Sequence, residues 1–247
     1  MAKAASKTKK KPERKPRTVF WWIGVMPFLA LRWGVRLILI AAVLMVLWVA
    51  LYVVVNPPST AYILSEGVRL EGVRREWRDF DAISSNMPHA IVAAEDANFC
   101  EHWGFDMGAI RSALEDGSGR GASTLSQQVV KNAFLWHGRN WLRKSLEALI
   151  TPVVEAFWSK QRILEVYMNI AEFDEGVFGV AEASRWYFGV DAAELTRDQA
   201  ARLAAVLPNP KGRSAKNPSE FVQRRIARID DGAQTIRLDG RNACFDG

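Results

Sequence analysis

Nineteen consecutive apolar residues, from Leu37 to Val55, constrain this 247-residue chain more than any other feature. A helix of that length, at about 1.5 Å per residue, nearly covers the roughly 30 Å hydrocarbon core of a membrane. A helix that is apolar on all sides is unusual at the surface of a soluble domain. Asn56 and two prolines follow the run, in place of the small-residue cleavage site that ends a signal peptide. The sequence therefore predicts an uncleaved transmembrane helix over residues 37–55.

Charge on the N-terminal side of this run predicts its orientation. Residues 1–36 contain ten Lys and Arg but only one acid, whereas residues 37–247 carry 23 basic and 26 acidic side chains. Because positively charged flanks stay in the cytosol, we expect a single-pass protein of the inner (cytoplasmic) membrane with a cytosolic N-terminus and a domain that faces the periplasm or the cell exterior. The basic tail alone would suit nucleic acid, but it leads directly into the apolar run, so no nucleic-acid partner is expected.

A shorter apolar segment, Phe20 to Leu31, precedes the run and contains Pro27. This segment is too short to span a membrane by itself. We interpret it as a separate interfacial segment.

Beyond the prolines, apolar residues recur mostly at spacings of three and four, which predicts a mainly α-helical domain. Thr124 to Gln127 and Thr196 to Gln199 fit the capping-box pattern, with helices that run on to about residues 136 and 207. Further helices are predicted over residues 87–98, 106–115, 140–158, 159–172, 177–187 and 218–231. The expected organisation is a basic segment 1–36, the span 37–55, a linker and domain entry 56–86, the domain 87–232 and a loose C-terminal tail 233–247.

Acidic side chains are dense in the segment IVAAEDANFCEHWGFD, which contains Glu95, Asp96, Glu101, His102 and Asp106. Acids also collect at the solvated ends of ordinary helices, so the cluster alone does not establish a site. A structural zinc site is not predicted, because the three histidines of the chain fit no His/Cys ligand spacing.

The next segment, GASTLSQQVVKNAFLW, presents hydroxyls and amides beside Lys131 on about two helical turns. Such groups suit a sugar or phosphate ligand, although a merely polar helix face has the same composition. The nucleotide-binding patterns G-x-x-x-x-G-K-[ST] and G-x-G-x-x-G do not occur. Arg143 and Glu147 stand four apart, a spacing that usually forms a surface ion pair worth about 0.3–0.5 kcal/mol. Each signal is weak by itself, and only the order of these segments along the chain indicates a function.

Four stretches, taken in order, resemble the motifs of the peptidoglycan glycosyltransferases (glycosyltransferase family 51). This is the lysozyme-like domain shared by class A penicillin-binding proteins and monofunctional biosynthetic transglycosylases. The stretches are EDANFCEHWG at 95–104, GASTLSQQVVKN at 121–132, RKSLE at 143–147 and KQRILEVYMN at 160–169, and the resemblance spans at least residues 89–210. The monofunctional branch is the closer match, since the chain ends at Gly247 and lacks the K-T-G motif of a transpeptidase.

The resemblance implies a mainly α, lysozyme-like glycosyltransferase domain preceded by one N-terminal transmembrane helix. It implies an enzyme that polymerises lipid II into β-1,4-linked glycan strands, with inversion at the anomeric carbon and release of undecaprenyl pyrophosphate. The partners would be lipid II, the growing glycan strand and other proteins of cell-wall synthesis or division. A membrane anchor suits such a substrate, because its polyprenyl tail stays in the bilayer.

The same match assigns roles residue by residue. Glu95 matches the general base, and Glu147 matches the second catalytic acid, which positions the pyrophosphate end of the donor. Lys131 and Arg139 match cations that neutralise the departing pyrophosphate. No metal ligand is predicted, and a divalent cation, Mg or Mn, that binds the pyrophosphate without a ligand motif is left open. Other members of the motifs are expected to bind substrate: Gln127, Gln128, Ser123, Thr124, Arg143 and Lys144.

Two features depart from the family pattern. The loop between the first two motifs is often longer and mobile in this family, whereas here only Asp116 to Arg120 separate the predicted helix from Gly121. Whether this loop gates the donor site is therefore left open. Cys100 occupies a variable position of the first motif. Outside the cytosol it could pair with Cys244, the only other cysteine, and two free thiols are the alternative.

Two other functions stay open on the sequence. A membrane-anchored lytic glycosidase would use the same helical fold and a catalytic acid, but it would not need Lys131 and Arg139. A catalytically inactive scaffold of the cell-wall machinery would have no chemical use for Glu95, Glu147 and Lys131. These charged residues therefore favour the synthetic enzyme.

Overall fold

A computed structural model describes residues 17–115, 123–138 and 140–246, with side chains from residue 26 onward. Within these ranges the chain forms ten α-helices and one small sheet, so the mainly α prediction is confirmed. The chain divides into two compact units, one up to Trp48 and one from Val49 onward.

The first unit consists of most of helix α1, Arg17–Leu51. Its stretch Met26–Leu51 reaches a mean hydropathy of 2.6 with only 6% of the window buried, so it is long and apolar enough to cross a membrane. The helix passes through Pro27 without a break, so the segment 20–31 is part of this helix and not a separate interfacial piece. The helix ends at Leu51, before the predicted Val55, because residues 52–55 form turns that lead into the two prolines.

Helices dominate the second unit, and most lie close to their predicted positions. Helix α8 starts later than predicted, because Val177 and Phe178 form a buried strand that is too short to show alternation in the sequence. Helix α10 runs past its predicted end at residue 231 and continues to Asp239. The helices are α2 Ala61–Arg69, α3 Asn86–Glu95, α4 Met107–Glu115, α5 Leu125–Phe134, α6 Trp141–Phe157, α7 Lys160–Ile170, α8 Val180–Phe188, α9 Arg197–Val206 and α10 Glu220–Asp239.

The sheet has three strands, β1 Arg74–Arg75, β2 Glu172–Asp174 and β3 Val177–Phe178, in the order β1–β3–β2. Strand β3 pairs parallel with β1 and antiparallel with β2. Gly176 makes the turn between β2 and β3 at φ +72°, and an added Cβ would lie 2.8 Å from Leu70 Cδ1. The sheet thereby joins the segment before residue 86, which was expected to be a linker, to the rest of the domain.

Two groups of helices form the core. Helices α3, α9 and α10 pack on one another, and α5 packs against α6 and α7. Phe99, Leu125 and Met168 are fully buried within this arrangement. Burial of several large apolar side chains contributes about 1.5–3 kcal/mol each, which holds the two groups together. The end of α3 and the start of α5 meet where the groups join.

Residues 240–246, which follow α10, pack against the domain and do not form the expected loose tail. Cys244 forms a disulfide with Cys100. Phe245 is 3% exposed, and its ring lies 5.3 Å from the His89 ring in an edge-to-face arrangement. Two contacts distant in sequence therefore order a segment whose own composition predicts no structure.

Candidate active site

Glu95 is the last residue of α3, and its side chain is 13% exposed. Its two carboxylate oxygens face different helices. Oε2 accepts a hydrogen bond from Gln128 Nε2 of α5 at 3.1 Å, and Oε1 accepts one from Arg225 Nη2 of α10 at 3.3 Å. The carboxylate is therefore held between the two helix groups.

Burial raises the pKa of Glu95 above the usual range of a carboxyl. The hydrogen bond from Gln128 and the positive charges of Arg225, Lys131 and Arg213 act in the opposite direction and favour the ionised form. A carboxylate with a raised pKa is a stronger base than an exposed one, and the neighbouring cations favour the ionised form that accepts a proton. These properties suit a general base.

Asp96 fixes the turn after Glu95 to the start of α5. Its Oδ2 accepts a hydrogen bond from Leu125 N at 2.9 Å, and its Oδ1 lies 2.8 Å from His102 Nε2. The side chains of Asp96 and His102 are only 3% and 8% exposed. This buried contact sets the distance between Glu95 and α5.

Gly104 completes the same junction. Its φ is +83°, and an added Cβ would lie 2.7 Å from Thr151 Cγ2, so a side chain does not fit here. Its carbonyl oxygen accepts a hydrogen bond from Thr124 Oγ1 at 2.7 Å. The first motif thus ends directly against Thr124 of the second.

Helix α5 begins with the predicted capping box, which is confirmed. Gln127 N donates to Thr124 Oγ1 at 3.3 Å, and Thr124 N donates to Gln127 Oε1 at 3.1 Å. These bonds engage the polar atoms of Thr124 and Gln127 within the protein, and their contact with substrate stays a prediction. Gln128 and Lys131 are three residues apart and lie on one face of the helix, directed toward the site.

Glu147 is buried at 2% exposure and holds two cations. Its Oε2 lies 2.6 Å from Arg143 Nη1, and its Oε1 pairs with Lys144 Nζ, which also donates to Ser123 Oγ at 3.2 Å. The side chains of Arg143 and Glu147 are 11% and 3% exposed, so this is not the surface pair that the spacing alone suggested. Both carboxylate oxygens of Glu147 are engaged by these cations, and its catalytic role stays a prediction.

Lys131 lies within electrostatic reach of both acids. Burial lowers the pKa of Lys131, as do the positive charges of Arg143 and Lys144, while Glu147 and Glu95 raise it. The ammonium group is therefore poorly solvated and gains from the approach of an anion. Such a group suits a phosphate oxygen.

A cavity of about 240 Å³ opens beside these side chains. His137 stacks on Tyr62 at this cavity, with 3.6 Å between ring centroids. Partial burial and the charges of Lys131 and Arg143 lower the pKa of His137 to about 4, so it is neutral at physiological pH. Further lining residues, which sequence reasoning did not select, are Tyr167, Glu172, Asn209 and Lys211.

Arg225 was also missed, because it lies in a helix with several arginines and nothing in its neighbourhood distinguishes it. Tyr167, whose hydroxyl donates to Gln128 Oε1 at 3.2 Å, lies inside the fourth motif and could have been found there. Arg139 and the connection 116–122 lie outside the described residues. Among the described residues, no group of three or more His, Cys, Asp or Glu could hold a metal ion.

The helical fold and this pairing of a buried acid with cations define a glycosyl-transferring enzyme. The chain belongs to the transglycosylase family, whose model, described as Transglycosylase, matches residues 63–233. That range encloses all four motifs and confirms the family assignment made from them.

Several relatives share most of the chain. A biosynthetic peptidoglycan transglycosylase of Jannaschia sp. (strain CCS1) is 51% identical over 245 residues, which cover 99% of each chain. One of Pseudomonas fluorescens (strain SBW25) is 50% identical over 209 residues, 81% of this chain and 87% of that protein. One of Caulobacter vibrioides is 44% identical over 200 residues, 79% of this chain and 87% of the relative.

Proposed function

We propose that this protein is a membrane-anchored peptidoglycan glycosyltransferase that polymerises lipid II into β-1,4-linked glycan strands. Family membership and the names of the similar proteins support the reaction class. The observation that carries the proposal is the position of Glu95, which is bonded to Gln128 on the same face of α5 that presents Lys131 one turn later. The proposed base, at the end of α3, is thus held by the same rigid helix α5 that carries a cation for the leaving group.

In the proposed reaction, Glu95 takes the proton from the 4-hydroxyl of the acceptor sugar. The resulting oxygen attacks the anomeric carbon of the donor while the bond from that carbon to the pyrophosphate oxygen breaks. Attack from the opposite face inverts the anomeric configuration, and undecaprenyl pyrophosphate leaves with the bonding electrons. Gln128 and Arg225 keep the carboxylate oriented for this transfer.

The departing pyrophosphate needs charge neutralisation more than protonation, because it is already a good leaving group. Lys131 is proposed to contact it, and Arg139 is proposed as a second cation. Arg143 and Lys144, which Glu147 holds in place, are proposed to bind the same end of the donor. Ser123, Thr124, Gln127 and Gln128 are retained as proposed substrate-binding residues.

The proposal assigns no resident metal ion to the protein. Mg or Mn is proposed only as a companion of the substrate pyrophosphate. We further propose that the protein lies in the inner membrane with its catalytic domain in the periplasm, where lipid II, the growing strand and other cell-wall proteins are its partners. Chelation with EDTA, followed by addition of Mg or Mn, measures the cation dependence.

The test is incubation of the detergent-solubilised full chain with labelled lipid II, with products resolved on a gel. Glu95→Gln should make no polymer and should keep the wild-type melting temperature within a few degrees, because an amide cannot accept the proton. Glu101→Gln is the matched control, since it removes an exposed carboxylate of the same motif and should leave polymerisation unchanged.

Each other outcome contradicts a part of the proposal. Polymer from Glu95→Gln at the wild-type rate would remove Glu95 from the role of base. Short fragments released from finished peptidoglycan by the wild type, with no polymer, would make the protein a lytic enzyme. No product from either substrate, across detergents and with Mg or Mn added, would favour the scaffold.

A further inference from the structure

The residues that follow α10 lie against the helix that ends in Glu95. The disulfide from Cys244 reaches Cys100, which follows Glu95 by five residues and is 144 positions away from its partner. The family model ends at residue 233, so this segment lies beyond the part of the chain that it matches. The proposed transferase chemistry assigns no role to these residues.

Contacts at His89 tie the segment to the body of α3. His89 is 1% exposed, and its Nδ1 lies 2.6 Å from Ser85 O, which it meets as a donor. Its Nε2 lies 3.3 Å from both Asn242 Nδ2 and Asp246 Oδ2. Phe245 covers the same imidazole, so the segment is both packed and hydrogen-bonded onto α3.

Further contacts continue along α3 to the turn that follows Glu95. Gly232 of α10 approaches α3 so closely that an added Cβ would lie 3.3 Å from Ala93 Cβ. Arg225 Nη2 lies 3.3 Å from Ala94 O, and Arg241 Nη1 donates to Ala97 O at 3.2 Å. Helix α10 and the residues after it therefore contact α3 and its exit turn on both sides of Glu95.

Two separate constraints hold the Glu95 carboxylate in position. Asp96 bonds to Leu125 N and fixes the turn relative to α5, which carries Gln128. The disulfide fixes the far end of the same turn relative to the chain that leaves α10, which carries Arg225. Glu95 Oε2 accepts its hydrogen bond from α5, and Glu95 Oε1 accepts its hydrogen bond from α10.

We propose that the segment Arg241–Asp246, fastened by the Cys100–Cys244 disulfide, is a positioning element that keeps Glu95 in contact with Arg225, so that the oxidised protein is the fully active form. This inference rests on the proposed role of Glu95 as the general base. Opening the disulfide loosens the contact of Glu95 with Arg225 of α10 and leaves its hydrogen bond from Gln128 of α5 in place.

The sign of the resulting pH effect follows from the groups that face Glu95. These are Lys131 and Gln128 from α5, Tyr167 from α7, Arg225 from α10 and Arg213 from the connection between α9 and α10. Loss of the Arg225 contact removes a positive charge that favours the carboxylate. The pH at which turnover falls on the acidic side should therefore move upward when the disulfide opens.

The experiment compares the full chain in detergent before and after reduction with dithiothreitol, at a temperature below the unfolding transition of both forms. Two electrons and two protons pass from the dithiol to the disulfide, which becomes two thiols while the dithiol closes into its own cyclic disulfide. Because the protein is reduced after folding, the result does not depend on how a variant folds. Cys100→Ser/Cys244→Ser is the matched control, whose activity should not respond to the reductant.

Reduced wild type and the double serine variant should both show a fall in kcat of about tenfold, within the range that misplacement of a reacting group produces. The KM for lipid II should stay within about twofold, and the acidic limb should move to higher pH. A general loss of folded protein would lower the apparent kcat without moving the limb. In an Arg225→Met background, reduction should add no further shift of the acidic limb.

Unchanged kcat and an unchanged acidic limb after complete reduction would overturn the positioning role and leave the proposed function intact. Absence of polymer from the oxidised wild type would instead overturn the proposed function, and this inference would fall with it. A fall in kcat that is fully explained by unfolded protein, with no movement of the acidic limb, would also overturn the positioning role.

Discussion

Two opposing influences act on the single carboxylate of Glu95. Burial favours its protonated form, whereas Gln128 and three neighbouring cations favour its ionised form. In its proposed role as the base, Glu95 must be ionised to accept a proton, so we expect this balance to set the lower pH limit of turnover. The neutral His137, with a pKa of about 4, does not contribute a second limit near neutral pH.

Arg225→Met should move the acidic limb of the kcat profile to higher pH. The substitution keeps an apolar stem and removes a positive charge that lowers the pKa of Glu95. The measurement is the initial rate of lipid II polymerisation across a pH series. Arg224→Met is the control, because Arg224 is exposed and pairs with Glu220 at 3.6 Å. An acidic limb that stays in place, or moves to lower pH, would show that Arg225 does not stabilise the ionised base.

Lys131→Met should reduce turnover about 100-fold or more, as loss of one charge-stabilising group commonly does. The melting temperature should not fall, because burial already disfavours the charged form of this lysine and Met retains the apolar stem. Initial rates with labelled lipid II and a thermal melt measure the two effects. Lys216→Met, at an exposed lysine, is the control. A turnover number equal to that of the wild type would remove Lys131 from the leaving-group site.

At the scale of elements, α5 and α9 begin with the same capping box but have different surroundings. The side chains of Thr196 and Gln199 bond to each other and to each other's main chain at an exposed helix start. Thr124 also donates to the buried carbonyl of Gly104, next to the turn that carries Glu95. The same local sequence pattern therefore makes different tertiary contacts in the two helices.

Thr196→Ala should lower the free energy of unfolding by about 1 kcal/mol, the usual cost of a lost cap, without changing turnover. Thr124→Ala should cost about 2–3 kcal/mol, since it also leaves the Gly104 carbonyl without its donor, and it should lower turnover by displacing α5. Denaturant unfolding and polymerisation rates give both quantities. Equal losses of stability and equal activity in the two variants would show that α5 is not held by this contact.

Element positions were predictable to the extent that they depend on local spacing. Helices α3 to α7 and α9 lie within a few residues of the positions that apolar periodicity and capping residues indicated. The sheet was missed because its strands have two or three residues, too few to alternate. Helix α10 was predicted too short, because its own sequence does not indicate that its last turns contact α3.

At the scale of the whole molecule, α1 is consistent with membrane anchoring by its length and exposed apolar surface. Its orientation follows only from the charge that precedes it. The positive flank predicts that the N-terminus stays in the cytosol and that the domain after α1 lies outside.

The protein should stay in the membrane pellet after a carbonate wash and dissolve in detergent. In spheroplasts treated with an external protease, a tag on the N-terminus should be protected and a tag on the C-terminus should be lost. Leu44→Arg should weaken retention, because an arginine at the centre of a span costs about 2.5–3.5 kcal/mol. Release by carbonate, or the opposite pattern of protection, would contradict the anchor or its orientation.

The sequence by itself determined the family and the mainly helical fold, and it selected Glu95, Lys131 and Glu147 as candidate site residues. These properties depend on residue types at short spacings, which are legible along the chain. The tertiary structure alone decided that Arg225 touches Glu95, that Glu147 is buried between two cations and that Cys100 pairs with Cys244. Burial and the meeting of residues more than a hundred positions apart are set by how helices pack, and packing arises only when the whole chain has folded.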